Sequence, residues 1–509
     1  MNDTDPLIVI VSNRGPFSFK EKKDGSFDVT RGAGGLVTAL GALAEKHDVL
    51  WVAAAMSEDD RRWAEHTGGA PARVDGVLVQ LVIPEAQAYE RYYNVIANPL
   101  LWFLQHQLWD IPRAPLINQR IWEAWDDGYK PINRQFAEAV AGSIAGAVRP
   151  VIVLPQDYHL YMFPRYLRAL VGDRAQIQPF IHIPWPGPDA WRVLPPMIRS
   201  ELLASMLTSD RIGFQTRKDA FNFVQTCRFY LEEAHSGGAR DSIDYGGRAV
   251  TAAAYPISID VEQVEALVEE PQTHLLKSQF INFVGDQDLI LRVDRIEPSK
   301  NILRGLEAYR TLLELYPEHR GRVQMLGLLV PSRMEVDEYQ DYLREIMSAA
   351  GMINAAYSEA FWEPVRIVVG ENYPRAIAAM QLYDVLLVNS IADGMNLVAK
   401  EGALVNRRDG VIVLSEHVGA FYEMGAHTIP VSPFDIYGTT QAIHQALTMP
   451  AEERRERAEA LREIVRSADV RRWFQNQVDD ALRALESQAS RVSTSETPEA
   501  RMSEASSTA

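Results

Sequence analysis

Short apolar segments alternate with longer amphipathic segments along most of the 509-residue chain. Apolar runs bounded by turn residues are typical of strands buried in a parallel sheet. In the first half such runs predict strands at Leu7–Val11, Val49–Ala53, Val77–Val82, Val151–Leu154, Pro179–Ile183, Ile212–Phe214 and Val250–Ala254. Helical spacing of apolar residues predicts helices at Leu36–Lys46, Ala86–Gln107, Ile132–Ala147, Ala190–Leu207 and Lys218–Glu233. This alternation predicts an α/β fold with helices packed on parallel sheets.

The pattern restarts in the second half, where strands are predicted at Leu289–Val293, Val323–Val330, Val365–Val369, Val385–Val388, Val411–Leu414 and Thr428–Val431. The chain is too long for one hydrophobic core, and Pro256 interrupts the pattern between the halves. We therefore predict two α/β domains that divide near residue 256. Residues 487–509 are dominated by Ser, Thr, Glu and Ala, which predicts a disordered tail.

Composition narrows the choice of partners. The formal net charge of −17 argues against a nucleic-acid partner, but it allows a small anionic substrate that needs only a few local cations. Cys227 is the only cysteine, which excludes disulfides within the chain and zinc sites built from several thiolates. Residues 1–6 show no signal-peptide pattern, and no apolar run approaches the length of a membrane span. We expect a cytoplasmic protein without a membrane partner.

The segment Asp393–Glu401 follows a predicted buried strand and predicts a loop leading into a helix. The free backbone N–H groups and the dipole at a helix start favour anions and sugar hydroxyls, and Asp393 and Glu401 add acceptors. Arg295 and Lys300 follow another predicted strand and supply two cations. Each segment alone is equally compatible with an ordinary αβ turn. Together they favour a diphosphate site.

The glycine-rich segment Gly32–Leu36 lies about twenty residues beyond the first predicted strand. That distance is wrong for a dinucleotide fingerprint, which turns directly out of its strand. The segment instead predicts a loop whose backbone can approach a phosphate closely, with a plain turn as the alternative. Arg14 and Arg333 follow predicted strands in different halves, so both side chains could reach one phosphate. A solvated arginine is the ordinary alternative for each.

Several motifs combine into a family pattern: Val11–Arg14, Gly34–Leu36, Tyr92–Asn94 with Trp102, Gln156–Leu160, His182–Pro186, Gly213–Thr216, Arg295–Lys300, Pro331–Arg333 and Asp393–Glu401. The chain resembles the trehalose-6-phosphate synthase family, which consists of retaining glycosyltransferases with the two-domain GT-B fold. The resemblance covers Ile8 to about Glu486. It implies two doubly wound, Rossmann-like domains that face across a cleft: an acceptor-binding domain at residues 1–256 and a nucleotide-sugar donor domain at residues 257–468. It also implies a final helix at residues 469–486 that crosses back to the first domain, and no cofactor or metal.

The resemblance also implies substrates and site residues. The reaction would move glucose from UDP- or GDP-glucose to glucose 6-phosphate, giving α,α-trehalose 6-phosphate. Donor-binding residues would be Gly34, Gly35, Arg295, Lys300, Asp393, Gly394, Met395, Asn396, Leu397, Val398 and Glu401. Acceptor-binding residues would be Arg14, Tyr93, Trp102, Asp157 and Arg333. Catalytic roles would fall to Arg295, Lys300, His182 and Asp393.

These residues have ordinary interpretations when the resemblance is set aside. Tyr93 and Trp102 could pack in a core, Asp157 could be an exposed loop residue, and His182 could be structural. His159 and His182 could suggest a metal, but no third ligand stands at a suitable spacing. No pair of carboxylates indicates a glycosidase mechanism. In the resembled family the leaving diphosphate is thought to accept the proton of the acceptor hydroxyl.

Some motifs depart from the family pattern. Gln156 replaces the usual histidine, and Arg295–Asn301 reads Arg-Ile-Glu-Pro-Ser-Lys-Asn where the family has Arg-Leu-Asp-Tyr-Ser-Lys-Gly. The segments His182–Arg192 and Leu404–Asp409 also resemble a pseudo-glycosyltransferase that couples cyclitols to make validoxylamine A phosphate. There are three alternative functions: this cyclitol coupling, transfer to another acceptor such as glycerol 3-phosphate, and a catalytically silent sugar-phosphate sensor. A homo-oligomer is compatible with the sequence.

Overall fold

The computed structural model describes residues 5–32, 47–238, 241–333 and 337–495. The strands of the first half are β1 (Leu7–Ser12), β2 (Phe17–Glu21), β3 (Phe27–Arg31), β4 (Asp48–Ala54), β5 (Ala72–Val74), β6 (Val77–Val82), β7 (Val151–Pro155), β8 (Ala175–Ile177), β9 (Phe180–Ile181), β10 (Arg211–Phe214), β11 (His235–Ser236), β12 (Ser242–Tyr245) and β13 (Arg248–Ala254). Its helices are Glu58–His66, Ala86–Glu90, Arg91–Leu101, Trp102–Gln105, Gln119–Ala124, Trp125–Tyr129, Lys130–Ile144, Phe163–Val171, Pro196–Met206 and Arg217–Tyr230. The predicted helix Leu36–Lys46 lies outside the described residues.

The strands of the second half are β14 (Asp288–Arg295), β15 (Val323–Val330), β16 (Val365–Val369), β17 (Val385–Val388), β18 (Val411–Ser415) and β19 (Ile429–Val431). Its helices are Val261–Val268, Pro271–Val284, Ile302–Leu315, Asp337–Tyr357, Tyr373–Met380, Leu397–Val405, Phe421–Met424, Ile436–Thr448, Ala451–Ser467 and Val470–Ser495. No helix among the described residues is long and apolar enough to cross a membrane.

The second half forms one parallel sheet in the order β16-β15-β14-β17-β18-β19. In chain order this is the 3-2-1-4-5-6 arrangement of the Rossmann fold. The first half forms two larger sheets, ordered β5-β6-β4-β1-β7-β8 and β11-β12-β13-β10-β9, which a parallel bridge joins at Gln156 and Phe180. β2 and β3 form a separate two-stranded sheet. Helices cover the sheets, so β1 and β7 are buried at every position. The predicted α/β fold with Rossmann-like halves is confirmed.

Each half has a point where the strand order reverses. It lies between β1 and β7 in the first half and between β14 and β17 in the second. The loops that leave two such neighbouring strands turn to opposite faces of the sheet, which opens a crevice at the carboxyl ends of the strands. Arg14, Asp157 and Asp393 follow three of these strands, and Arg295 is the last residue of the fourth, β14.

The helix Val470–Ser495 packs against the first half. Trp473 Nε1 donates to the Tyr255 carbonyl at 2.9 Å, and the indole ring meets Phe180 edge to face at 4.9 Å between centroids. Asp480 accepts the Tyr255 hydroxyl at 2.5 Å. The helix continues past Ser487, where the sequence predicted that disorder begins. Gly and Pro are absent until Pro498, so no residue breaks the helix earlier.

The predicted helix Ala86–Gln107 is helical but irregular. Residues Arg91–Leu101 form a π-helix that contains Pro99. Proline has no N–H to donate to the preceding turn, so the regular ladder is interrupted here. The Trp102 N–H reaches back to the Ala97 carbonyl, and the wider turn sets the position of the Trp102 ring.

Candidate active site

Side chains that follow β7, β14 and β17 line one cavity of about 290 Å³ between the two halves. Its walls are Trp102, His106, Asp157, Tyr158, His159, His182, Ile183, Arg295, Glu297, Ser299, Lys300, Arg333 and Asp393. In open parallel sheets, ligands bind in the crevice at the strand-order switch. Both switch points open into this cavity, which is therefore the candidate active site.

Lys300 and Asp393 form an ion pair on the second-half side of the cavity. Asn396 Nδ2 donates to the same carboxylate at 3.0 Å, and Asn396 Oδ1 caps the helix Leu397–Val405 by accepting the Ala399 N–H at 3.2 Å. Burial alone would raise the pKa of Asp393, but Lys300 outweighs it and holds the pKa below its ordinary value. A cation and a capped helix start therefore lie side by side, an arrangement that suits a phosphate group.

Glu297 is a buried carboxylate that two arginines share. Its Oε1 lies 3.1 Å from Arg295 Nη1 and 2.8 Å from Arg333 Nη1, and it accepts the Ser332 hydroxyl at 2.8 Å. Burial alone would raise its pKa, but Arg295, Arg333 and Lys300 lower the pKa to about 2. Its Oε2 has no hydrogen-bond partner among the described residues. Glu297 thus fixes both guanidinium groups at the cavity wall.

Arg333 reaches from the second half into the first. Its Nε donates to Asn98 Oδ1 at 2.8 Å, and its Nη2 donates to the Tyr158 hydroxyl at 3.1 Å. The guanidinium lies 4.1 Å from the ring centroid of Trp102. Only the planar fork of an arginine can stack on the ring and make these hydrogen bonds at once. A single cation therefore ties the two walls of the cavity together.

Asp157 and His182 form the opposite wall. Asp157 has φ of 72°, a conformation that a non-glycine residue adopts only when its surroundings impose it, and its Oδ1 accepts the His182 N–H at 3.2 Å. Burial raises the pKa of Asp157 to about 7 and lowers the pKa of His182 to about 4. His182 Nε2 donates to Gln156 Oε1 at 2.9 Å, so the residue that departs from the family pattern fixes the tautomer of a neutral imidazole.

Asp157→Asn should stabilise the protein more at high pH than at low pH. The folded-state pKa of Asp157, about 7, lies above the ordinary value, so the folded state holds the proton more tightly and wild-type stability falls as pH rises from about 4 to about 7. Asparagine does not ionise, and its amide oxygen can still accept the His182 N–H. By urea unfolding, its advantage should grow by about 1–2 kcal/mol between pH 5.5 and pH 8. A pH-independent difference would contradict this assignment.

Gly394 lies against the backbone of the opposite half. A Cβ at Gly394 would be 1.8 Å from the His182 carbonyl oxygen and 3.3 Å from Ile183 Cα. Only glycine allows this approach without moving the halves apart. The loop before the helix Leu397–Val405 is therefore in direct contact with the wall that carries His182.

The structure brings together most of the predicted site residues. Arg295, Lys300, His182, Asp393, Trp102, Asp157 and Arg333 line the cavity, and Gly394 to Val398 form the adjoining loop and helix start. Gly34 and Gly35 lie outside the described residues. Glu401 accepts the Tyr373 hydroxyl at 2.8 Å and does not line the cavity, and burial raises its pKa to about 7.

Two predicted acceptor residues do not line the cavity. Arg14 is exposed, so the predicted convergence of Arg14 and Arg333 is not seen in this structure. The hydroxyl of Ser12 donates to the Arg14 carbonyl at 2.6 Å, which orients the backbone here and leaves the long side chain in solvent. Tyr93 stacks on His159 at 5.8 Å between centroids and supports the wall from behind.

Sequence reasoning missed several residues of the wall. The imidazole of His106 stacks on Trp102 at 3.9 Å and donates from Nδ1 to the Trp102 carbonyl at 2.9 Å. Burial lowers its pKa to about 4, so Nε2 is an acceptor. Tyr158 and His159 belong to the Gln156–Leu160 motif. Glu297 and Ser299 belong to Arg295–Asn301, the segment that departs from the family pattern. The side chain of His106 has the same helical spacing as ordinary core residues, so no signal marked it.

The two Rossmann-type halves, with cations and a helix start at the switch-point cavity, define a two-domain GT-B glycosyltransferase. The chain belongs to glycosyltransferase family 20, whose model matches residues 6–483. This result confirms the family resemblance. The helices and strands above fall almost entirely within the matched range.

Relatives and solved structures agree on this family. The alpha,alpha-trehalose-phosphate synthase (UDP-forming) of Schizosaccharomyces pombe is 29% identical, over 94% of this chain and 90% of its own length. That of Emericella nidulans is 30% identical, over 98% of this chain and 96% of its own length. A trehalose-6-phosphate structure from E. coli bound with UDP-2-fluoro glucose has a TM-score of 0.80 and 27% identity, over 93% of this chain and 98% of that one. The Burkholderia xenovorans synthase in complex with glucose-6-phosphate has a TM-score of 0.78 and 26% identity, over 93% of this chain and 99% of that one.

Proposed function

We propose that this protein transfers glucose from UDP-glucose to glucose 6-phosphate with retention of configuration, giving α,α-trehalose 6-phosphate and UDP. One observation carries the proposal: cations on both sides of Glu297 face one cavity between the two halves. The curated relatives are named as UDP-forming synthases. Related structures contain a UDP-glucose analogue and glucose 6-phosphate, which favours UDP over GDP.

The proposed roles follow from the positions of the charges. Arg295 and Lys300 bind the diphosphate of the donor and stabilise the negative charge that develops as its bond to the anomeric carbon breaks. Asp393 accepts hydrogen bonds from the glucose hydroxyls, and the backbone N–H groups at the helix start at Leu397 donate hydrogen bonds to the phosphates. The diphosphate then takes the proton of the attacking hydroxyl on the same face, which gives retention.

On the acceptor side, Arg333 and Trp102 hold the phosphate, and Asp157 accepts hydrogen bonds from the sugar hydroxyls. His182, neutral and oriented by Gln156, contacts the transferred sugar. Closure of the two walls excludes water and aligns the reacting atoms, which supplies much of the remaining acceleration.

A second candidate is the coupling of a nucleotide-linked cyclitol to a sugar phosphate. The motivation is the resemblance of the segments His182–Arg192 and Leu404–Asp409 to the cyclitol-coupling enzyme. Gln156 and Glu297, which depart from the family pattern, also contact cavity groups directly. Glycerol 3-phosphate as acceptor and a silent sensor are weaker candidates. A silent sensor would not need cations at the leaving group, so the presence of Arg295 and Lys300 in the cavity wall argues against it.

Product analysis tests the function. The protein is incubated with UDP-glucose or GDP-glucose and with glucose 6-phosphate, glucose or glycerol 3-phosphate, and the product is examined by NMR. We expect an α,α-1,1-linked disaccharide phosphate from UDP-glucose, with anomeric couplings of the retained configuration. Product only from a nucleotide-linked unsaturated cyclitol would replace this function with the second candidate. Binding of sugar phosphate without any product would indicate the sensor.

The domain boundaries at residues 256 and 468, the cytoplasmic location and the homo-oligomer stay predictions. Limited proteolysis and light scattering address the boundaries and the oligomer.

A further inference from the structure

One group of three metal-ligating side chains lies together among the described residues: Glu318, His319 and His444. Glu318 and His319 belong to the 3-10 turn Pro317–His319, which follows the helix Ile302–Leu315. That helix starts beside the cavity and runs back along the sheet, so the turn lies at the edge away from the cavity. His444 comes from the neighbouring helix Ile436–Thr448. The group is therefore separate from the candidate active site.

The two imidazoles are held in place before any ligand arrives. His319 Nε2 lies 3.0 Å from His444 Nδ1, and His319 is buried. The His444 ring stacks on Tyr316 at 3.7 Å with an interplanar angle of 8°, and the Tyr316 hydroxyl donates to Gln441 Oε1 at 2.7 Å. The facing nitrogens come from two neighbouring elements, the turn Pro317–His319 and the helix Ile436–Thr448, so the fold keeps them close together.

We propose that Glu318, His319 and His444 bind a divalent transition metal of the zinc class. Two imidazoles and a carboxylate are a common ligand set for zinc, with water in the remaining positions. Two ligand nitrogens about 2.1 Å from a tetrahedral ion lie about 3.4 Å apart, so the pair, now 3.0 Å apart, needs to separate by only about 0.4 Å to hold the ion. One ligand atom from each of the three side chains lies within 4.8 Å of the others. Glu318 is exposed, so its carboxylate can turn inward to complete the set.

The chemistry of the pair suits a metal. A metal ligand must offer a lone pair, and both imidazoles do so only when neutral and freed of the shared proton. Without metal, one ring donates its N–H to the other. On metal binding the donor ring takes its other tautomer, with the proton on its remaining nitrogen, so that both facing nitrogens offer lone pairs. The bound ion would join the turn after Ile302–Leu315 to Ile436–Thr448 and stabilise the second half.

The competing interpretation is a hydrogen bond between two neutral imidazoles and nothing more. Calorimetric titration of the full chain, free of any affinity tag and stripped with chelator, with zinc chloride distinguishes the two. We expect one zinc ion per chain and a rise in the unfolding temperature. The only cysteine, Cys227, is buried, so it does not compete for the metal.

His444→Phe keeps the ring that stacks on Tyr316 and removes the ligand atom, and Glu318→Gln changes an exposed residue only. Each should weaken zinc binding at least tenfold, and His444→Phe should keep its activity because it lies away from the cavity. His274→Ala is the matched control, because His274 and Glu269 form an exposed pair at 3.6 Å of the kind that binds zinc weakly. This variant should bind zinc as the wild type does.

Zinc binding that is absent in the wild type, or that survives unchanged in both His444→Phe and Glu318→Gln, would overturn the proposal. If His444→Phe fails to fold, Glu318→Gln decides alone: unchanged affinity overturns the site. Loss of binding in His274→Ala would assign the metal to the surface pair and would equally overturn it.

Discussion

Arg295→Ala should lower turnover of UDP-glucose and glucose 6-phosphate by about two to three orders of magnitude, the usual effect of removing a group that stabilises charge on a leaving group. The Arg295 side chain is 48% exposed and contacts Glu297 at 3.1 Å. Glu297 keeps Arg333 and Ser332 as partners, so folding should be nearly unaffected. Steady-state kinetics and thermal unfolding of the same preparation measure both effects.

Lys300→Ala should lower turnover by a similar factor, and it should also lower stability. Lys300 and Asp393 are 12% and 17% exposed, and truncation of one partner leaves a buried carboxylate without its counter-ion. The proper comparison is therefore turnover per folded molecule. Asp393→Asn in the Lys300→Ala background should recover the stability but not the turnover.

Arg310→Ala is the matched control for both variants. This arginine lies on the helix that follows Lys300, and it pairs only with the surface residues Glu307 and Glu314 among the described residues. We expect wild-type turnover. If Arg295→Ala and Lys300→Ala both keep turnover within a few-fold of wild type, these cations do not act on the leaving group.

Arg333→Ala should remove most of the preference for glucose 6-phosphate over glucose. A charge-assisted pair between arginine and phosphate contributes about 1.5–3 kcal/mol, so the ratio of kcat/KM for the two acceptors should fall about 10- to 100-fold. Arg333 carries this effect because it is 10% exposed within the cavity wall, whereas Arg14 is exposed outside it. The ratio within each variant does not depend on the fraction of folded protein.

Arg333→Lys and Arg14→Ala sharpen the test. Lysine keeps the charge but not the fork that bonds Asn98, Tyr158 and Glu297, so an intermediate ratio is expected. Arg14→Ala should change the ratio less than Arg333→Ala. A wild type that uses glucose and glucose 6-phosphate equally well would contradict the assignment of a phosphate site here.

The sequence predicted the architecture because strand burial is a local signal. Buried parallel strands read as continuous apolar runs, and β1 and β17 follow that rule closely. Less regular elements were harder to place. The predicted strand Pro179–Ile183 is reduced to Phe180–Ile181, because prolines on either side cannot donate to a strand ladder.

By itself the sequence determined the α/β class, the family and the strand-end residues Asp157, Arg295, Lys300 and Asp393, because each is encoded within one short motif. Only the tertiary structure decided which side chains meet. Arg333 contacts Asn98, 235 positions away, and Glu297, which belongs to the Arg295–Lys300 motif, joins Arg295 to an arginine from a separate motif. The tertiary structure also leaves the Arg14 side chain in solvent and places His106 in the cavity wall. Contacts between distant segments depend on how the two halves pack, and no local pattern of apolar and polar residues records that packing.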